Sequence, residues 1–172
     1  MTSSVGTLVG LTVAIVLGSA AAAKARHPAA FVVAVRSALP DALTPWCRSV
    51  AWLTIGLEAV AAVGCLVPFT RRIGLTLAAL LLVSFALVAL RSATGARRTP
   101  CSCFGRGTAV LGWRHVVRNT LLGAAAATGA LAPPVANTVL PTELMPLAIV
   151  GSLLLAGTAV FVDDLARALP AR

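Results

Sequence analysis

The chain has 172 residues, 59% of them hydrophobic and 11% charged, with no tyrosine. A soluble domain of this length needs about a quarter of its residues charged, so lipid must cover most of this one. The net charge of +9 does not imply a nucleic-acid partner, because the basic residues sit between apolar runs and form no stripe interleaved with aromatics.

A membrane helix needs ~20 apolar residues, and five runs approach that length: residues 5–23, 50–69, 73–90, 116–135 and 144–162. They predict an all-α fold, a polytopic membrane helix bundle of four or five transmembrane helices. One membrane domain is expected over residues 5–162, with no linker long enough to join a second. In the first run Gly6, Gly10, Ala14, Gly18 and Ala22 recur every fourth residue, a stripe that lets another helix approach closely. Small residues at 20–23 could follow a signal peptide, but residues 1–6 carry no Lys or Arg, so a retained helix is expected. Between the first two runs, Phe31, Val32, Val35 and Leu39 share a helical face, with Pro28 opening the segment and Pro40 following it. That segment is too short to cross and reads as one short interfacial helix. The second and third runs are joined by the tight Thr70-Arg71-Arg72 turn and should be antiparallel neighbours. Pro133-Pro134 interrupts the fourth run and must kink or end it. Pro146 sits in the first turn of the fifth, which Asp163-Asp164 end.

Charge sets the expected orientation. Twelve of the fourteen Lys and Arg residues fall in the first connection, the third connection or the C-terminus. The positive-inside rule then puts those segments in the cytoplasm and the N-terminus outside a cell inner (cytoplasmic) membrane. Trp46, Trp52 and Trp113 belong to the same face, as an aromatic belt would.

Two cysteines one residue apart, Cys101 and Cys103, lie in the third connection, residues 92–112. They can close a strained, easily reduced disulfide. Arg97, Arg98 and Arg106 favour the thiolate, and Pro100 and Gly105 shape the turn. Cys47 opens the second run at the same face and is a candidate resolving thiol. Cys65 lies near the opposite end and reads as a packed small hydrophobe. A zinc site from Cys47, Cys101, Cys103 and His115 competes, but the arginines would repel a divalent cation and paired ligands are normally spaced by two to four residues. Redox chemistry is therefore preferred and no metal is expected. Glu58 sits mid-run, where a charge costs ~2.5–3.5 kcal/mol on insertion scales. It should face the bundle interior with a partner or a proton, as structural glue or as a functional group. Lys24, the one lysine, is expected to snorkel with Arg26 to the headgroups.

Taken in order, the residues resemble a known family. A span ends in Lys24, Arg26-His27-Pro28 follows with Phe31 and Leu39-Pro40, and a second span carries Glu58. A third span leads to Cys101-Ser102-Cys103-Phe104-Gly105, then Gly112-Trp113-Arg114-His115 with Arg118-Asn119. This is similar to the methylamine utilisation protein MauE family, within the wider MauE/DoxX group of redox-associated membrane proteins, over roughly residues 5–130. The resemblance implies a four- or five-helix bundle and a role in maturing a disulfide-rich partner, in the founding case the small subunit of methylamine dehydrogenase. It carries over Cys101, Cys103, Phe104 and Gly105, and with them Glu58 and Lys24. A cytoplasmic cysteine pair departs from the simplest such role, since periplasmic disulfides would want it outside.

The reading that follows is a membrane thiol–disulfide protein that exchanges with a thioredoxin-like or cysteine-rich partner. Two roles stay open for the bundle: to anchor the pair, or to relay electrons to a lipid quinone, the one cofactor considered. A non-catalytic docking or assembly factor is the alternative, and a small transporter rests on Glu58 alone.

Overall fold

The computed structural model describes residues 2–95, 111–132, 149–154 and 157, and among these all regular structure is helical. Helix α1 spans Thr2–Arg26, α2 Pro28–Ala38, α3 Cys47–Leu66, α4 Arg71–Ala93 and α5 Trp113–Leu131, with a 3-10 segment Asp41–Trp46 leading into α3. Residues 149–154 and 157, within the fifth apolar run, are helical too.

Among the described residues three stretches are long and apolar enough to cross a membrane: Gly6–Arg26, Asp41–Leu66 and Arg71–Ala93. Helix α5 has 19 residues, about 28 Å at 1.5 Å per residue, but its first two turns carry Arg114, His115 and Arg118. Large apolar side chains such as Leu53, Val60 and Val63 on α3 and Leu80, Val83 and Leu87 on α4 point outward. A water-facing surface would not tolerate such continuous apolar faces, whereas lipid solvates them.

Proline sets several helix limits. Pro28 takes the first helical position of α2, where its missing N–H costs nothing. Leu39 and Ala132, the residues before Pro40 and Pro133, are both extended, with ψ of 148° and 140°, as the ring of a following proline requires. Helix α2 buries Phe31 and Ala34, with Val32 and Val35 partly covered. Leu39, the last residue of the expected face, lies just past the helix as its C-cap, so the packed face within α2 is Phe31, Val32 and Val35, joined by Ala34.

The bundle runs up, down, up, down. An ideal Cβ on Gly10 would lie 3.1 Å from the Cys65 carbonyl oxygen, and one on Gly18 would lie 3.8 Å from Ala62 Cβ. The start of α1 therefore lies beside the end of α3. Of the small-residue stripe, Gly10, Ala14 and Gly18 serve this contact, whereas Gly6 faces open space and Ala22 is exposed. Helices α4 and α5 are likewise antiparallel, since Gly129 meets Leu75 and Gly123 meets Leu82. Val13, Leu17, Ala61, Leu75, Ala78 and Ala126 pack the core of the end farther from α2.

The tightest crossing is in the α3–α4 hairpin, at Gly64 and Gly74. A Cβ built on Gly74 would sit 2.4 Å from the Gly64 carbonyl carbon and 2.5 Å from the Cys65 amide nitrogen. No side chain can give way there, because both obstacles are backbone. The turn is held by the Thr70 hydroxyl, which donates to the Gly64 carbonyl at 3.1 Å. Gly74→Ala should therefore cost about 1–3 kcal/mol of stability in a detergent melt, as overpacking does. Gly56→Ala, where nothing lies within 4 Å, should be neutral or slightly stabilising. Equal melting of the two variants would contradict this packing.

Candidate functional site

Glu58 lies in the fourth turn of α3 and is fully buried. Its carboxylate Oε1 accepts a hydrogen bond from Lys24 Nζ of α1, and the two form a buried ion pair. The expectation that Lys24 snorkels to the headgroups is thereby corrected: its side chain is 3% exposed. The cause is what lies inside. An opposite charge and two aromatic faces solvate the ammonium better than lipid does, while the neighbouring Arg26 takes the exposed position.

The two faces belong to Phe31 of α2 and Phe85 of α4, whose ring centroids lie 4.9 and 4.6 Å from Lys24 Nζ. Each ring presents its negative quadrupole face, an attraction that reaches about 2 kcal/mol when desolvated. Four helices thus converge on one ammonium group. Phe31 also packs with Ala21, Ala51 and Ile55, which fastens the non-crossing α2 to α1 and α3.

Further buried polar groups lie in the same half of the bundle. Helix α5 turns inward with His115, Asn119, Gly123, Ala126 and Ala130, and Ser92 is buried at the end of α4. The Gly112 N–H donates to His115 Nδ1 at 3.2 Å. This bond caps the helix start and engages Nδ1 as an acceptor.

The thiols are placed as follows. Cys65 is buried beneath Arg71, whose Nε donates to the Cys65 carbonyl at 3.4 Å while Nη1 reaches the Thr7 hydroxyl at 3.1 Å. Cys47 is half-buried as the first residue of α3, at the bundle end where α4 stops and α5 starts. Cys101, Cys103 and the supporting Arg97, Arg98, Pro100, Phe104, Gly105 and Arg106 lie outside the described residues. Among the described residues no three His, Cys, Asp or Glu side chains group as metal ligands do. Trp46, Trp52 and Trp113 are all exposed.

Sequence reasoning had Phe31 only as part of an apolar face and did not single out Phe85. Asn119 entered only as part of a motif. The available signal was the i, i+4 spacing of His115 and Asn119, which puts two polar side chains on the face that continues as Gly123 and Ala126.

Helices of crossing length, apolar outward faces and an ion pair sealed inside define a multi-pass α-helical membrane protein. The family model for methylamine utilisation protein MauE matches residues 2–132, and the chain belongs to that family. It is therefore a membrane protein associated with methylamine utilisation. The matched range includes Lys24, Glu58 and all four cysteines. No curated protein and no solved structure matches the chain.

Removing one member of a buried pair strands the other charge, which costs about 3–5 kcal/mol, whereas replacing both by apolar groups is often neutral. Lys24→Met should therefore destabilise strongly in detergent melts, and Glu58→Leu likewise. The double variant should recover most of the loss. Additive losses would contradict direct pairing.

Proposed function

We propose that the protein is a membrane thiol–disulfide redox protein that supports maturation or disulfide formation of a thioredoxin-like or cysteine-rich partner. The observation that carries this reading is the Cys101-Ser102-Cys103-Phe104-Gly105 element, flanked by Arg97, Arg98 and Arg106 and lying within the family match. Membership in a methylamine-utilisation family supports it further, with the small subunit of methylamine dehydrogenase as the partner that the family resemblance suggests.

The chemistry, written in the oxidising direction, balances in two exchanges. A partner thiolate attacks one sulfur of the Cys101–Cys103 disulfide and expels the other as a thiolate, leaving a mixed disulfide. A second partner thiolate then attacks the mixed disulfide. The partner leaves oxidised and the pair is left as a dithiol. Returning the pair to a disulfide releases two electrons and two protons to an acceptor, for which a lipid quinone has the right chemistry and location. The small ring departs from relaxed disulfide geometry, which favours an oxidising potential. We read Cys47, half-buried as the first residue of α3, as the candidate third, resolving thiol. By the charge asymmetry this face is cytoplasmic.

Cys101→Ser or Cys103→Ser should trap a covalent complex through the remaining thiol, and the double variant should insert in the membrane yet fail in complementation. Redox titration with alkylation, read by mass shift, should show the pair interconverting between dithiol and disulfide. A fully active double variant would overturn the redox reading in favour of a docking or assembly factor.

A further inference from the structure

Helices α4 and α5 pack closely on their inner faces but part on the outside. A groove of about 380 Å³ runs between them, from Leu90 and Val116 at one end to Ala79 and Ala127 at the other. Val83 and Leu87 on its wall are half exposed, so it opens toward lipid. From Val116 to Ala127 the axis of α5 advances about 16 Å at 1.5 Å per residue. Gly123, Ala124 and Ala127 make the room, since any larger side chain there would fill it. The volume falls within the ~300–1,000 Å³ of sites that hold small molecules and cofactors, which are mostly apolar with a few polar groups.

The polar group here is Thr120. Hydroxyls in the other helices are satisfied locally: Thr54, Thr76, Ser84 and Thr128 each donate to a carbonyl of the preceding turn, the usual solution inside a helix. Thr120 makes no hydrogen bond to any described residue, and it lines the groove. It lies about 10 Å along α5 from Trp113, which is exposed at the level expected of an interfacial aromatic. At that depth no water is present to pair a hydroxyl, and an unpaired one is costly.

The occupant must therefore be apolar, elongated and uncharged, and must carry an acceptor below the headgroups. A phospholipid does not meet this: its phosphate and ester carbonyls stay at the interface, and its acyl chains carry no acceptor. Among the described residues lining the groove none is Lys, Arg or His. A lipid quinone has an isoprenoid tail and a neutral ring with two carbonyl acceptors. We propose that the α4–α5 groove seats a lipid quinone, its ring at Thr120, whose hydroxyl donates to a ring carbonyl, and its tail running toward Ala79 and Ala127. The identity of the ligand rests on the thiol–disulfide reading above, which calls for a membrane acceptor. In sequence, Cys101 and Cys103 lie between α4 and α5, the two helices that form the groove. As their two S–H bonds break and the S–S bond forms, the pair gives up two electrons and two protons. The ring takes them at its carbonyl oxygens and leaves as a quinol.

The probe is a photoreactive azido-benzoquinone with a decyl tail, added to the protein in lipid nanodiscs and read by peptide mass mapping. Label should fall within residues 79–90 and 116–127, and unlabelled decyl benzoquinone should suppress it where added phospholipid does not. Thr120→Val keeps the shape but removes the donor, and should weaken binding about three- to tenfold. Ala124→Phe should fill the groove and abolish labelling. Both positions are exposed, so neither variant disturbs the core. Val60→Phe, on the outward face of α3, should leave labelling unchanged. The Cys101→Ser, Cys103→Ser double variant should bind the probe as the wild type does, so failure of the thiol reading and failure of this site are told apart. Label that falls elsewhere on the chain, that phospholipid displaces equally, or that survives Ala124→Phe would overturn the proposal.

Discussion

A carboxylate at the centre of a membrane helix must find a counter-charge or a proton, and the rest of this bundle is arranged around how Glu58 does so. Its partner, Lys24, is 34 residues away in the chain, so α1 and α3 are tied in one rotational setting. The ammonium is then finished off by rings from α2 and α4. A charge-assisted bond in low dielectric is strong only if both ions are desolvated together. The small residues Gly10, Ala14 and Gly18 let α1 and α3 come close enough for that. The same logic makes α2 part of the membrane domain although it does not cross, since Phe31 is the cover over the pair.

The close packing at the other end serves a different purpose. Gly64 and Gly74 bring two backbones together where any Cβ would clash, which leaves the hairpin little freedom to slide. Rigidity at that end and polarity at the α2 end give the bundle two distinct halves. Helix α4 ends and helix α5 begins in the polar half. Cys65, by contrast, is enclosed in the apolar half and belongs to the packing.

The all-α membrane bundle is legible from composition and from the length of the apolar runs, because lipid leaves few other solutions for the backbone. Pro28 and Pro40 delimit the short helix for the same local reason that they do in any chain. The need of Glu58 for an inward position follows from its depth. The identity of its partner does not, since Lys24 sits near the end of its run, where a long side chain can usually reach headgroups. The rotation of α1 decides the matter, and that rotation is set by packing against α3, which no local pattern encodes. The face of α2 formed by Phe31, Val32 and Val35 follows from helical spacing, whereas Leu39 drops out of it because the following proline holds it extended. Phe85 looks like any lipid-facing aromatic until the ammonium is placed beside it. The chemistry of the Cys101 and Cys103 pair remains an argument from sequence and family.

The account rests on the burial of Lys24, and amine chemistry reads that directly because the chain has no other lysine. Reductive methylation of the protein in nanodiscs, followed by mass mapping of the peptide that contains Lys24, is the decisive measurement. The account predicts that Lys24 stays unmodified in the folded protein and reacts fully after denaturation. It also predicts that Glu58→Leu, by removing the counter-charge, makes Lys24 reactive in the native state. Rapid modification of Lys24 in the folded wild type, at the rate of a free surface amine, would contradict the buried pair and return Lys24 to the headgroups.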